Sequence, residues 1–86
     1  MKQPTVTATL GAYWGARVAA RRADLGLTQT QFADVVGVTQ QTISKIENGG
    51  MIPHDKLKVT IAQKTGTRVA DLFAWPEGPI DLGPAA

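Results

Sequence analysis

Cysteine is absent from all 86 residues. Disulfides, a thiolate nucleophile and a cysteine-based zinc site are therefore excluded. Histidine occurs once, as His54, with no cluster of carboxylates around it in the sequence. Neither a glycine-rich phosphate loop nor a nucleophile elbow appears, so catalysis has little support and no cofactor or metal is expected. Aromatic residues make up only 6% against an apolar total of 43%, which suits a small aliphatic-cored helical bundle. No apolar stretch approaches the roughly 20 residues of a membrane-spanning helix. The opening MKQPTVTATL has no signal-peptide core, so a soluble, cytoplasmic protein is the expectation.

What is present is concentrated between Thr28 and Gly49, in TQTQFADVVGVTQQTISKIENG. Ala33 stands four residues before Gly37, small enough for another helix to cross close to it. Gly37 permits the positive φ that a three-residue turn between helices needs. Val38, Ile43 and Ile46 then recur as an apolar seam, and Thr39, Gln40, Gln41, Ser44 and Lys45 fall on the other face. Thr28 and Gln31 read as a capping box, with Leu27 and Phe32 as its hydrophobic staple. Thr39 is the next N-cap, with Val38 and Ile43 as staple. Gly49 suits a left-handed residue after the second helix.

These residues, sharpest in VTQQTISKIENG from Val38 to Gly49, resemble the Cro and repressor-type helix-turn-helix family of phages and bacteria (XRE-like). The resemblance covers roughly residues 18–73. It implies an all-α fold: a compact, lambda-repressor-like bundle of five helices that binds double-stranded operator DNA, with its third helix in the major groove. That docking geometry comes with the family. It also implies base reading by Gln40, Gln41 and Lys45, and a backbone clamp at Gln29. A partly buried salt bridge between Arg22 and Glu47, tying the first helix to the end of the third, is implied as well.

Along the chain, residues 1–9 are expected as an N-terminal arm, 10–74 as the DNA-binding domain and 75–86 as a tail holding three of the five prolines. The arm alternates Thr5, Thr7 and Thr9 with Val6 and Ala8. It reads either as an extended segment that pairs with a partner chain or lies along DNA, or as a loose tail. Helices are expected over 10–24, 29–36, 40–48, 53–64 and 69–74. Gly11 and Gly15 should fray the first, Pro53 should sit in the first turn of the fourth, and Thr67 should cap the fifth. Residues 1–74 carry all nine Lys and Arg against five Asp and Glu, a charge of +4, while the tail carries −2. A modestly positive body fits a site-specific DNA binder better than a chain that coats DNA by charge.

Glutamine can give and take a hydrogen bond at adenine N7 and N6, and side chains at a helix N-terminus reach deepest into the groove. Gln40 and Gln41 are thus the leading base contacts. Thr39 offers a methyl to thymine or a hydroxyl to phosphate, and Ser44 shares its face. Thr28 and Gln29 open a helix whose free N–H groups suit a phosphate, although capping alone already explains Thr28. Asn48 and the Gly49–Gly50–Met51 loop should approach the DNA backbone without help from any basic side chain. Arg17 and Arg21 read as solvated or phosphate-facing charges, Trp14 and Phe73 as core, and Trp75 as either core or subunit contact. A homodimer, formed in solution or only on DNA, is expected, because one reading helix makes few base contacts. Leu72, Trp75 and Ile80 or the arm would supply its surface. Two alternatives stand: an antitoxin that autoregulates its operon, or a protein-interaction module on the same fold.

Overall fold

The protein is described by a computed structural model that covers residues 5–7, 9–76 and 81–84. Five helices carry the fold: α1 (Leu10–Asp24), α2 (Gln29–Val36), α3 (Gln40–Glu47), α4 (Asp55–Thr65) and α5 (Val69–Leu72). The local signals act as their chemistry dictates. Thr28 accepts from the Gln31 amide at 3.1 Å, while the Gln31 side chain accepts from the Thr28 amide at 2.9 Å, completing the capping box. Thr39 caps α3 through the Thr42 amide, and Gly37 turns the chain at φ 88°.

Val18, Phe32, Ile43, Ile46 and Ile61 are fully buried, and Trp14, Leu57, Leu72 and Phe73 close the core around them. The apolar seam of α3 thus faces α1 and α2, and its polar stripe is left outside. Val38 and Leu27, the expected staple residues, are partly buried against this core.

The glycines of α1 do not fray it. Thr9 caps the helix by accepting from the Ala12 amide, and both Gly11 and Gly15 are buried. A Cβ on Gly15 would lie 2.2 Å from the carbonyl oxygen of Ile46, and one on Gly11 would lie 2.9 Å from that of Gly49. Their absent side chains let α1 cross directly over the end of α3. Helix propensity is a local quantity, and here a tertiary contact overrides it.

Arg17 and Arg21 are not solvated charges either. Arg17 donates to the carbonyls of Leu72 and Asp71, at the end of α5. Arg21 donates through Nε to the carbonyl of Thr65, at 2.9 Å, at the end of α4. Helix C-termini leave carbonyls without partners and carry partial negative charge, so a guanidinium satisfies both needs at once. One face of α1 therefore caps two later helices.

Helices α3 and α4 end one residue from the expected position, at Glu47 and Thr65, and larger differences lie at the start of α4 and around α5. Pro53 lies before α4 and is fully buried, while the exposed His54 is the N-cap, its Nδ1 accepting from the Leu57 amide at 3.2 Å. Helix α5 ends at Leu72, because Phe73 leaves the helical region at φ −111° and ψ 41°. Its N-cap position is Arg68, not Thr67, and no side chain caps it. Arg68 pairs instead with Asp71 (Nε–Oδ2 2.8 Å).

Segments β1 (Thr5–Thr7) and β2 (Asp81–Pro84) pair antiparallel. The described part of the arm, Thr5–Thr7, is extended, as its period implies, and its strand partner is Asp81–Pro84 of the chain's own tail. Ile80 lies outside the described residues. Trp75 is 73% exposed yet stands edge-on to Trp14 with centroids 5.4 Å apart.

Candidate nucleic-acid interface

Helices α2 and α3 bring Gln29 and Gln40, each the first residue of its helix, side by side. Gln40 Nε2 donates to Gln29 Oε1 at 2.7 Å. Gln29 Nε2 in turn donates to Glu47 Oε1 at 3.1 Å. Glu47 receives Arg22 in bidentate fashion, Nε to Oε2 at 2.7 Å and Nη2 to Oε1 at 2.9 Å. Arg22 also donates Nη1 to the carbonyl of Leu27 at 2.7 Å. The Glu47 side chain is only 7% exposed and that of Arg22 20%.

The expected Arg22–Glu47 bridge is therefore present and fully engaged. Glu47 raises the pKa of Arg22, chiefly by hydrogen bonding to its guanidinium, against an opposing effect of burial. The connection onward from Glu47 to Gln29 and Gln40 was not anticipated from sequence. The only available signal was that two glutamines open two consecutive helices.

The other expected site residues fall into two groups. Gln41 and Lys45 are exposed on the outer face of α3, and Ser44 is half-buried there. Thr28, Thr39 and Asn48 already have local work. Thr28 and Thr39 accept from the amides of Gln31 and Thr42, and Thr39 Oγ1 lies 3.0 Å from Thr42 Oγ1. Asn48 Oδ1 accepts from the Gly50 amide at 2.9 Å. Gly49, at φ 84°, lets the Gly50 amide also reach the carbonyl of Lys45 at 2.8 Å, which closes α3 in a Schellman motif. The hydroxyl oxygens of the two threonines thus serve as cap acceptors.

The arrangement can present one oriented glutamine, one exposed glutamine and one exposed ammonium along a single helix face. Its caps hold the backbone rigid beneath them. Among the described residues no group of three or more His, Asp or Glu could hold a metal ion, and no helix is long and apolar enough to cross a membrane.

Comparison with known proteins agrees with this geometry. Residues 18–72 match the family model for the helix-turn-helix fold HTH_3. An HTH-type transcriptional regulator of Methanothermobacter thermautotrophicus is 42% identical over 57 residues, spanning 65% of this chain and 83% of the relative. One from Archaeoglobus fulgidus is 36% identical over 61 residues, spanning 71% and 87%. Among solved structures, the clp gene regulator ClgR of Corynebacterium glutamicum superposes with a TM-score of 0.74 at 26% identity, covering 79% of this chain and 87% of its own. The restriction-modification controller C.AhdI of Aeromonas hydrophila shares the fold, with a TM-score of 0.69 at 19% identity over 72% and 90% of the two chains. The match over residues 18–72, the relatives and the capped α2–α3 unit agree: this chain belongs to the helix-turn-helix family.

Proposed function

We propose that the chain regulates transcription by binding a specific operator in double-stranded DNA, as a compact repressor of the Cro type, with α3 in the major groove. Family membership and the regulator names of its relatives support a DNA-binding regulator of transcription. The observation that carries the finer reading is the division of α3. Ile43 and Ile46 are fully buried, while Gln41 and Lys45 project outward and Gln40 is held by Gln29. Gln40 and Gln41 read base edges, Lys45 and Ser44 contact bases or phosphates one turn on, and Gln29 with the start of α2 holds the backbone. Thr28, Thr39 and Asn48 contribute from the flanks, Thr39 through its methyl to thymine or its hydroxyl to a phosphate.

Operator binding by two copies follows from the small reading surface and a net charge of only +2. The surface around α5 and the exposed Trp75 favours that pairing. Selection from a random duplex pool tests the reading. The expected result is a palindrome whose half-sites lie about one helical turn apart. Within it, Gln41→Ala should cost about 1–3 kcal/mol on the selected site and far less on random DNA. Recovery of no common sequence would overturn operator recognition. Equal binding of an isolated half-site and the full palindrome would overturn the pairing.

A further inference from the structure

We propose that Glu47 is a specificity-determining positioning residue: acting through Gln29, it sets which end of the Gln40 amide faces outward, and so which base α3 prefers. This rests on α3 being the DNA reader proposed above.

The argument is one of hydrogen-bond direction. The two ends of a glutamine amide have nearly the same shape, and only their partners decide which is which. A carboxylate accepts and never donates. Glu47 takes two bonds from Arg22, and its Oε1 takes a third from Gln29. Gln29 must therefore turn its NH2 toward Glu47, which leaves its carbonyl oxygen for Gln40. Gln40 must then supply its own NH2, and it does so at 2.7 Å. Reversing both amides would set the Gln29 carbonyl oxygen against the nearly buried carboxylate, acceptor against acceptor. Only one direction is consistent along the whole chain.

The consequence reaches the groove. Once one Nε2 hydrogen of Gln40 is committed to Gln29, the other stands beside Oε1 as an ordered donor–acceptor pair. Adenine offers an acceptor at N7 and a donor at N6, the complementary order. Guanine offers two acceptors, N7 and O6, so the Gln40 carbonyl oxygen would face O6 with no hydrogen between them. A residue that never needs to touch DNA thus favours adenine over guanine.

The test compares full-length wild type with Glu47→Gln, Gln29→Met and the swapped pair Glu47→Gln with Gln29→Glu. Each is titrated with the selected duplex and with one in which the A·T pair lost to Gln40→Ala is changed to G·C. Wild type should prefer adenine by about tenfold or more. Glu47→Gln replaces the acceptor-only carboxylate with an amide that can turn either end to Gln29, so the direction along the chain is no longer fixed. It should bring the preference within about threefold, with affinity for random DNA within about twofold. The swapped pair puts the acceptor-only group at position 29, where it again draws the Gln40 NH2, and should restore the preference although overall affinity falls. A purely structural role for Glu47 has no reason to yield that rescue. Unchanged preference in Glu47→Gln, or no rescue by the swap, overturns the proposal. Should Glu47→Gln fail to fold, Gln29→Met cuts the chain without touching the salt bridge, and an intact preference there overturns it equally. If Gln40→Ala alters no base preference, it is the base-reading role of Gln40 that fails.

Discussion

Arg17 Nε donates to the main-chain carbonyl of Leu72 at 3.0 Å, so a side chain of the first helix closes the last one. Helix α5 has four residues and no side-chain N-cap, too little to hold itself. Its place depends on burial of Leu72 and Phe73, on Arg17, and on Trp14, whose Nε1 donates to the carbonyl of Ala74 at 2.8 Å. Replacing Arg17 with Met keeps the apolar stem and removes the donors. It should cost about 1–3 kcal/mol in urea unfolding, with an early change in Trp14 and Trp75 fluorescence as α5 detaches. A single transition of wild-type stability would show that burial alone seats α5.

Gly15→Ala separates propensity from packing. On propensity alone, alanine in a helix interior should stabilise by about 0.5–1 kcal/mol. The contact of a Cβ with the Ile46 carbonyl instead predicts destabilisation by about 1–3 kcal/mol or more, because backbone atoms must move. Binding of DNA should weaken along with it, since α3 is displaced. Thermal melting decides the sign, and a raised melting temperature would mean that the two helices separate at little cost.

Glu47→Ala strands Arg22 with only the Leu27 carbonyl as acceptor, and should lose about 3 kcal/mol. The double change Arg22→Met with Glu47→Leu should recover most of this, since no charge is left behind. Recovery should stop short of complete, because the Leu27 carbonyl then loses its donor. Chemical denaturation of the three variants measures the difference. Equal losses in the single and double variants would contradict a desolvated pair.

Asp71 gives the stability a pH dependence. The Arg68 guanidinium, chiefly by hydrogen bonding, holds its carboxyl below the usual carboxylate range. A depressed carboxylate pKa contributes stability that is present above the unfolded value and lost as pH falls through the folded one. The melting-temperature gap between wild type and Asp71→Asn should thus be constant from about pH 5 to 8 and shrink below about pH 4. The pair is exposed, so the gap should be small and diminish in salt. A gap that grows on acidification would contradict the assigned pairing.

The parts of this fold legible in sequence were those with local causes. Thr28, Gln31 and Thr39 announced their helices, and the spacing of Val38, Ile43 and Ile46 gave the buried face of α3. The Arg22–Glu47 bridge came from family resemblance, not from any local pattern. The illegible parts have tertiary causes. Nothing near Arg17 or Arg21 signals helix ends 55 and 44 residues away. Gly11 and Gly15 look like weak helix formers until another backbone is laid against them. His54 escaped notice as a cap because imidazole is a rare choice there, and Pro53 drew the boundary toward itself. The orientation of Gln40 depends on atoms from α1, α2 and α3 together.

The crossing of α1 over the end of α3 has a consequence for how such a protein can change. Main chain rests on main chain there, at Gly15 and Ile46. The pose of α3 is consequently independent of the side chains it shows to the outside. Gln41, Ser44 and Lys45 could be exchanged one at a time while the helix stayed where it is, like type reset in a fixed frame. Gln40 is the exception, because its neighbour Gln29 answers to Glu47. Mutational drift should therefore move quickly along three of those positions and be slow at the fourth, where a new letter has to arrive together with a change at 29 or 47.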